Sequence, residues 1–212
     1  FPSKHIDKCI LECAEGREGG EDSYTEVGID FGFNRTIYVL SEKIGTVKRK
    51  VLFVKEWKEC SIEDIAPEIG RLITTHGPKF VKADSKPKHN RGHIEKYCRK
   101  HIDYVDAGLE VHVTDDGDKE VWSTHKEQML GQLQRKVREH NLIIPIYPFT
   151  EGLITELRKY RRKMTTGDDI VDSLALSCYQ PVIPLGSTTA GCVYFSKPLS
   201  KKFSFPVNRG FQ

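Results

Sequence analysis

The chain has no CxxC pair, no apolar run approaching the roughly 20 residues that a membrane-spanning helix requires, and no Gly-x-x-x-x-Gly-Lys-Ser/Thr loop. Without CxxC, the six cysteines (Cys9, Cys13, Cys60, Cys98, Cys178 and Cys192) have neither zinc-ligand nor disulfide-framework spacing. Cys9 and Cys13 could make half a zinc site, but no partnering Cys/His pair follows, and reduced intracellular thiols are the expected state. With no long apolar run and no secretory h-region, no membrane partner is expected. Without the phosphate-binding loop, these residues contain no ATPase motor. Net charge is scarce as well. The 33 Lys and Arg against 30 Asp and Glu leave a formal +3, so overall charge does not mark a nucleic-acid binder. Internal repeats and low-complexity arrays are absent, and the Asn34-Arg35-Thr36 sequon is uninformative in an intracellular chain.

What is present suffices for one domain with its own core: 212 residues, beginning with Phe1 rather than Met, as expected of a fragment or a processed product. Residues 1–23 read as a linker, with an apolar cluster at Ile6–Leu11 followed by the charged, Gly-rich Glu15–Asp22. Three strands are predicted at Glu26–Phe31, Thr36–Ser41 and Val47–Trp57, joined by turns at Asn34-Arg35 and Lys43–Thr46. Val51–Val54 is continuously apolar, which suits a strand covered on both faces or one at an edge. Ser61 then caps a helix whose stripe is Ile62, Ile65, Ala66, Ile69, Leu72 and Ile73, and Gly77-Pro78 ends it. Lys79–Asp84 follows as a strand, and a strand–helix–strand passage favours parallel pairing through a right-handed crossover. Further on come a helix at Gly92–His101, a strand at Leu109–Val113, a helix from Ser123 to His140, and a short apolar strand or connector at Leu142–Ile144. A helix capped by Thr150 and a last helix at Asp168–Tyr179 complete the prediction. Asp115–Asp118 reads as an exposed turn that lacks the later glutamate of an EF-hand. Residues 24–180 are thus the domain, and 181–212, rich in Gly, Ser, Pro and Lys, a tail.

Asp30 lies in the middle of the first strand, flanked by Gly28 and Gly32, where an ionised carboxylate is costly unless a cation or donors compensate it. Asp84 ends a strand expected beside it. Asp169 and Asp172, three apart, share one side of the last helix. Asp168 suits an ordinary partner of the helix dipole, which Asp172, in the second turn beside an apolar stripe, does not. Convergent aspartates repel each other unless a divalent cation offsets their charge, and hard oxygen ligands suit Mg²⁺ or Mn²⁺. Two such ions roughly 4 Å apart can serve phosphodiester hydrolysis. Lys82, Lys86, Lys88 and Arg91 surround Asp84 in sequence. Arg158, Lys159, Arg161, Arg162 and Lys163 precede the Asp-rich helix. Both clusters suit phosphate contacts along a DNA strand, and equally a solvated helix face. Tyr160 suits base stacking or packing.

Three segments together resemble the RNase H-like nucleases, and more closely the nuclease domain of the large terminase subunit of tailed viruses. They are Val27-Gly-Ile-Asp30-Phe-Gly32, Val81-Lys-Ala-Asp84-Ser-Lys-Pro-Lys88 and Gly167-Asp-Asp-Ile-Val-Asp172-Ser-Leu-Ala-Leu176. The last is similar to that family's His-Asp-Asp-x-x-Asp-Ala-Leu helix, with Gly167 in place of histidine and Ser173 in place of alanine. The opening Phe1–Ile10 resembles the linker after a terminase ATPase domain. The resemblance implies an α/β, RNase H-like fold with a central mixed sheet of about five or more strands. The first three would be antiparallel, later strands parallel to the first, and helices would flank them. It implies that Asp30, Asp84, Asp169 and Asp172 are the catalytic acids, and that these and Asp168 hold Mg²⁺ or Mn²⁺, in all two ions. Lys86, Lys88, Arg91, Arg158, Arg161, Arg162 and Lys163 would line a path for double-stranded DNA. The implied activity is cleavage of concatemeric DNA with little sequence preference, as no segment reads as a base-reading helix. The implied setting is the host-cell cytoplasm, with an ATPase domain, a small terminase subunit and a portal or procapsid as partners. A Holliday-junction resolvase, or a non-catalytic DNA-binding or portal-docking module of the same fold, are the alternatives.

Overall fold

Seven strands form one mixed sheet, and only its second long strand runs against the rest. The structure, a computed structural model, describes residues 1–11, 22–32, 34–106, 109–114, 117–122, 124–160 and 168–181. The strands are β1 (Ile10–Leu11), β2 (Tyr24–Phe31), β3 (Arg35–Ile44), β4 (Lys48–Lys58), β5 (Phe80–Asp84), β6 (Asp103–Val105), β7 (Leu109–Thr114), β8 (Gly117–Trp122) and β9 (Leu142–Pro145). The helices are α1 (Ser3–Asp7), α2 (Ile62–His76), α3 (His89–Glu95), α4 (Thr124–Arg138), α5 (Glu151–Lys159) and α6 (Asp169–Cys178). The sheet order is β1-β9-β4-β3-β2-β5-β6, and β7 pairs only with β8 in a separate hairpin.

The first three long strands are antiparallel, and β5 returns parallel to β2 after α2, as the sequence pattern leads one to expect. Short turns can only reverse the chain, whereas the passage through α2 carries it back across the sheet. The Ser61 hydroxyl accepts the Asp64 N–H at 3.3 Å, and Gly77 ends α2 in the left-handed conformation (φ 56°). Such a cap is worth about 1 kcal/mol. Its apolar stripe buries Ile65, Ala66, Ile69 and Ile73, each isoleucine contributing roughly 1.5–3 kcal/mol, against Val27, Ile29 and Phe31 of β2 and Val81 and Ala83 of β5. The other face of the sheet packs against α4, α5 and α6. Toward its end on that face β2 presents Glu26, Gly28 and Asp30.

Several boundaries differ from the pattern-based reading. Helix α3 covers His89–Glu95 rather than Gly92–His101, and β6, for which the sequence has no run of apolar residues, pairs parallel with β5. Val51–Val54 lies inside the sheet, between β3 and β9. Thr150 forms no side-chain cap on α5. Its hydroxyl donates to Pro145 O at 2.6 Å and holds a short 3₁₀ turn, Pro148–Thr150. The first eleven residues, part of the segment read as a linker, contribute α1 and β1, with Ile6 and Cys9 in the core. Cys9, Cys60, Cys98 and Cys178 are free thiols. Cys13, Cys192, most of the charged segment Glu15–Asp22, and the tail beyond Pro181 lie outside the described residues. Among the described residues, no helix is long and apolar enough to cross a membrane.

Candidate active site

Asp30 is the next-to-last residue of β2, 6% exposed, on the face covered by α6. Two residues back on the same face, Gly28 lets α6 lie directly on the strand. A Cβ there would stand 2.0 Å from Ser173 O and 2.6 Å from Ser177 N. Ser173 Oγ adds a hydrogen bond to Ile37 O of β3 at 3.2 Å. This seating brings the first turn of α6 to the end of β2, where a Cβ on Gly32 would meet Asp169 Oδ1 at 3.0 Å. The parallel register sets Ile29 beside Ala83, so Asp30 and Asp84 leave the sheet at the same end. Carboxylates from three regions remote in sequence thus gather there: Asp30, Asp84 and the acids at the start of α6.

Their electrostatics are those of a crowded acid cluster. Burial pushes the Asp30 carboxyl well above its ordinary range, and the nearby Asp172, Asp84 and Asp169 push it further. Burial lifts Asp172 to about 7, with Lys126 opposing and Asp168 and Asp169 adding to the rise. Asp168 is raised for the same first reason, burial. Lys126 of α4 is the cation that enters this cluster. It is buried, its Nζ donates to Asp172 Oδ2 at 2.6 Å, and it lies 3.7 Å from Asp168 Oδ2. Burial works against its charge, but Asp172, Asp168 and Asp30 more than offset that and raise its pKa. Asp172 Oδ1 and Asp168 Oδ2 are buried with no hydrogen-bond donor.

A second cation stands on the other side. Arg35 Nε donates to Asp169 Oδ2, Nη1 to Glu56 Oε1 at 3.2 Å, and Nη2 to Glu156 Oε1 at 2.7 Å. The remaining Glu156 oxygen accepts the Ile170 N–H at 3.0 Å, so the N-terminus of α6 is capped by α5 and not by Asp168. Asp168 therefore does not serve α6 as a side-chain cap.

Among the described residues, no three His, Cys, Asp or Glu side chains close on a single point around an ion. The donor set nevertheless fits a hard divalent cation. Its atoms are carboxylate oxygens, two of them are buried without a donor, and their mutual repulsion is what a cation would relieve. Beside Asp84 opens a cleft of about 740 Å³ lined by Phe31, Gly32, Ser61, Lys86 and Asn90 among others.

The basic residues divide. Lys86 lines the cleft and pairs with Asp106 at 3.3 Å, and Lys88 is exposed next to it. Lys82 is buried and donates to Glu26 Oε2 at 3.3 Å, a carboxylate that Arg49 also holds at 2.6 Å. Arg91 stacks over Tyr104 at 4.5 Å and donates to Ser85 O at 3.1 Å, so it braces the loop after β5. Arg158 pairs with Asp7 of α1 at 2.7 Å and lines a different groove, with Ile146 and Tyr147. Tyr160 is a core residue against Phe1, with ring centroids 5.2 Å apart, which leaves no face for a base. Arg161, Arg162 and Lys163 lie outside the described residues.

Sequence reasoning misses Lys126 and Arg35. Lys126 does carry a signal, a cation in the first turn of a helix, where the dipole disfavours it. Arg35, the first residue of β3, carries none.

No protein-family model and no curated protein matches the chain. Solved structures do. The chain has the fold of large-terminase nucleases. The large terminase nuclease of thermophilic phage G20c with bound zinc is 19% identical, with 82% of this chain and 94% of that chain covered and a TM-score of 0.57. A variant of the large terminase subunit from bacteriophage Sf6 with calcium is 13% identical (85% and 99% covered, TM-score 0.56). The large terminase nuclease domain of bacteriophage SPP1 with bound manganese is 12% identical (73% and 84% covered, TM-score 0.52). The central mixed sheet with flanking helices, expected from the order of the motifs, is therefore that of the terminase nucleases.

Proposed function

We propose that the chain is the divalent-metal-dependent endonuclease domain of a viral DNA-packaging terminase, cutting concatemeric double-stranded DNA with little sequence preference. One observation carries the reading. Asp30, Asp84 and Asp172 come from three separate elements to one end of the sheet, where the Asp30 and Asp172 carboxyls are raised and Asp172 Oδ1 is buried without a hydrogen-bond donor. The acids of α6, Asp30 and Asp84 would hold the ion or ions, Mg²⁺ or Mn²⁺. A divalent ion there supplies Lewis acidity toward a phosphodiester and eases deprotonation of water. Lys126 keeps Asp172 turned so that its free oxygen remains in the cluster. Lys86 and Lys88, beside the cleft, would hold backbone phosphates as point charges, which positions a strand without reading bases. The bound metals of the G20c and SPP1 nucleases support the choice of a divalent cofactor. By the same likeness, the domain would act in the host cytoplasm beside an ATPase domain, a small terminase subunit and the portal.

The test is nicking of supercoiled plasmid in Mn²⁺ or Mg²⁺. Wild-type protein is expected to nick and Asp30→Ala to be inactive while still folded. Equal nicking by both would remove the reading.

A further inference from the structure

The end of the sheet remote from the acid cluster carries the opposite charge. β2 begins there with Tyr24, on the same face as Asp30 and roughly 20 Å from it along the strand. Lys43 of β3 stands opposite Tyr24, and its Nζ lies 5.2 Å from the centre of the Tyr24 ring. Lys79, just before β5, places its Nζ 4.4 Å from the same ring and 5.6 Å from that of Phe80. The two rings meet edge to face, with centroids 5.7 Å apart. Lys79 and Phe80 are exposed, and Tyr24 and Lys43 half-buried.

The acids close by do little to cancel this charge. Arg49, opposite Lys43 on β4, and Lys82 share the Glu26 carboxylate, at 2.6 and 3.3 Å. Arg49 is buried and keeps Nε and Nη1 without an acceptor. Glu42 is buried, which leaves Asp22 as the exposed acid among the described residues beside the start of β2. The centres of protein–protein interfaces are poor in lysine and rich in open aromatic surface, whereas both rings here are engaged by ammonium groups. Those rings restrict the lysines before anything binds, so less order is lost on contact. Like charges held together on one ring repel each other, and an anion between them relieves that.

We propose that Tyr24, Lys43, Lys79 and Phe80 form a second binding surface for the phosphate backbone of duplex DNA, separate from the acid cluster and from the cleft with Lys86 and Lys88. Lys43 and Lys79 meet the phosphates, and the two rings hold them in position. The surface needs no metal ion. Because α6 lies over Gly28 between the two ends of β2, a phosphate held here is not one held at Asp30.

The test is binding of a short labelled duplex in EDTA, followed by fluorescence anisotropy over a range of salt concentrations, with thermal unfolding of every variant alongside. The double variant Lys43→Ala/Lys79→Ala is expected to bind about tenfold or more weakly at moderate salt and to flatten the log–log salt dependence by about two units. Lys79→Ala alone, at an exposed position, is expected to flatten it by about one unit. Arginine at both positions is expected to restore the wild-type slope. A folded double alanine variant with the wild-type affinity and slope would overturn the proposal. Labelled poly-glutamate that binds more tightly than duplex, and loses its binding in the same variant, would make the patch a dock for an acidic protein and would overturn it too. Wild-type protein that fails to nick plasmid in Mn²⁺, yet binds duplex through Lys43 and Lys79, would remove the nuclease reading and leave this surface standing.

Discussion

Gly28→Ala is the smallest change that tests how the site is assembled. The new methyl group would begin 2.0 Å from Ser173 O and 2.6 Å from Ser177 N, and both are backbone atoms of α6, which cannot turn aside as a side chain can. The helix must retreat by roughly 1 Å before the contact becomes tolerable, and overpacking of this kind costs typically 1–3 kcal/mol, here at the upper end. For a body of this size, about 3 kcal/mol lowers the unfolding midpoint by about 6–12 °C. The displacement also lifts Asp172 from Asp30, and a misplacement of about 1 Å can cost on the order of 100-fold in rate. Thermal unfolding followed by circular dichroism, with Mn²⁺-dependent plasmid nicking on the same preparation, reads both effects. An alanine variant that melts within about 2 °C of wild type and nicks at the wild-type rate would refute the close seating of α6 on β2.

Other outcomes follow from the same geometry. Asp172 is raised to about 7 in the folded protein from an ordinary 3.8, so the native state holds its proton across that window while the unfolded chain has released it. Metal-free wild type is therefore expected to lose stability relative to Asp172→Asn as pH rises from about 4 to about 7, and parallel melting curves for the two would contradict this. Added Mn²⁺, which requires the deprotonated carboxylate, is expected to recover that loss near the upper end. Lys86→Ala and Lys88→Ala are each expected to weaken duplex binding and to flatten its log–log dependence on salt by about one unit, measured by fluorescence anisotropy at several salt concentrations. Arg91→Ala is instead expected to lower the unfolding temperature, by the loss of about 0.5–2 kcal/mol of stacking on Tyr104, with the salt slope unchanged.

Much of this site is readable from local pattern. Alternation around Asp30, the capped stripe of α2 and the short turns before it determine that β2, β3 and β4 are antiparallel and that β5 returns beside β2. Once that pairing holds, Asp30 and Asp84 must leave the sheet together. Gly28 is legible as a place of close approach, though not which backbone approaches it. What local pattern does not carry is partner choice over long separations. Nothing near Lys126 in sequence points to Asp172, 46 residues away, or near Arg35 to Glu156, 121 residues away. The same limit misleads on the basic residues. Lys82, Arg91 and Arg158 belong to runs of positive charge, yet each is engaged by a particular partner elsewhere in the fold. β6 escapes because three residues with exposed or half-buried side chains leave no periodic signature, and its pairing with β5 is set by the sheet.

The central claim is that the carboxylates at the end of β2 hold a divalent cation. Crystals soaked in Mn²⁺ and measured for anomalous scattering test it most directly. The account expects a peak within ligand distance of Asp30, shared with Asp84 or with Asp172 through its free oxygen. A peak elsewhere with none at Asp30, or no peak in Mn²⁺-saturated crystals, would contradict it.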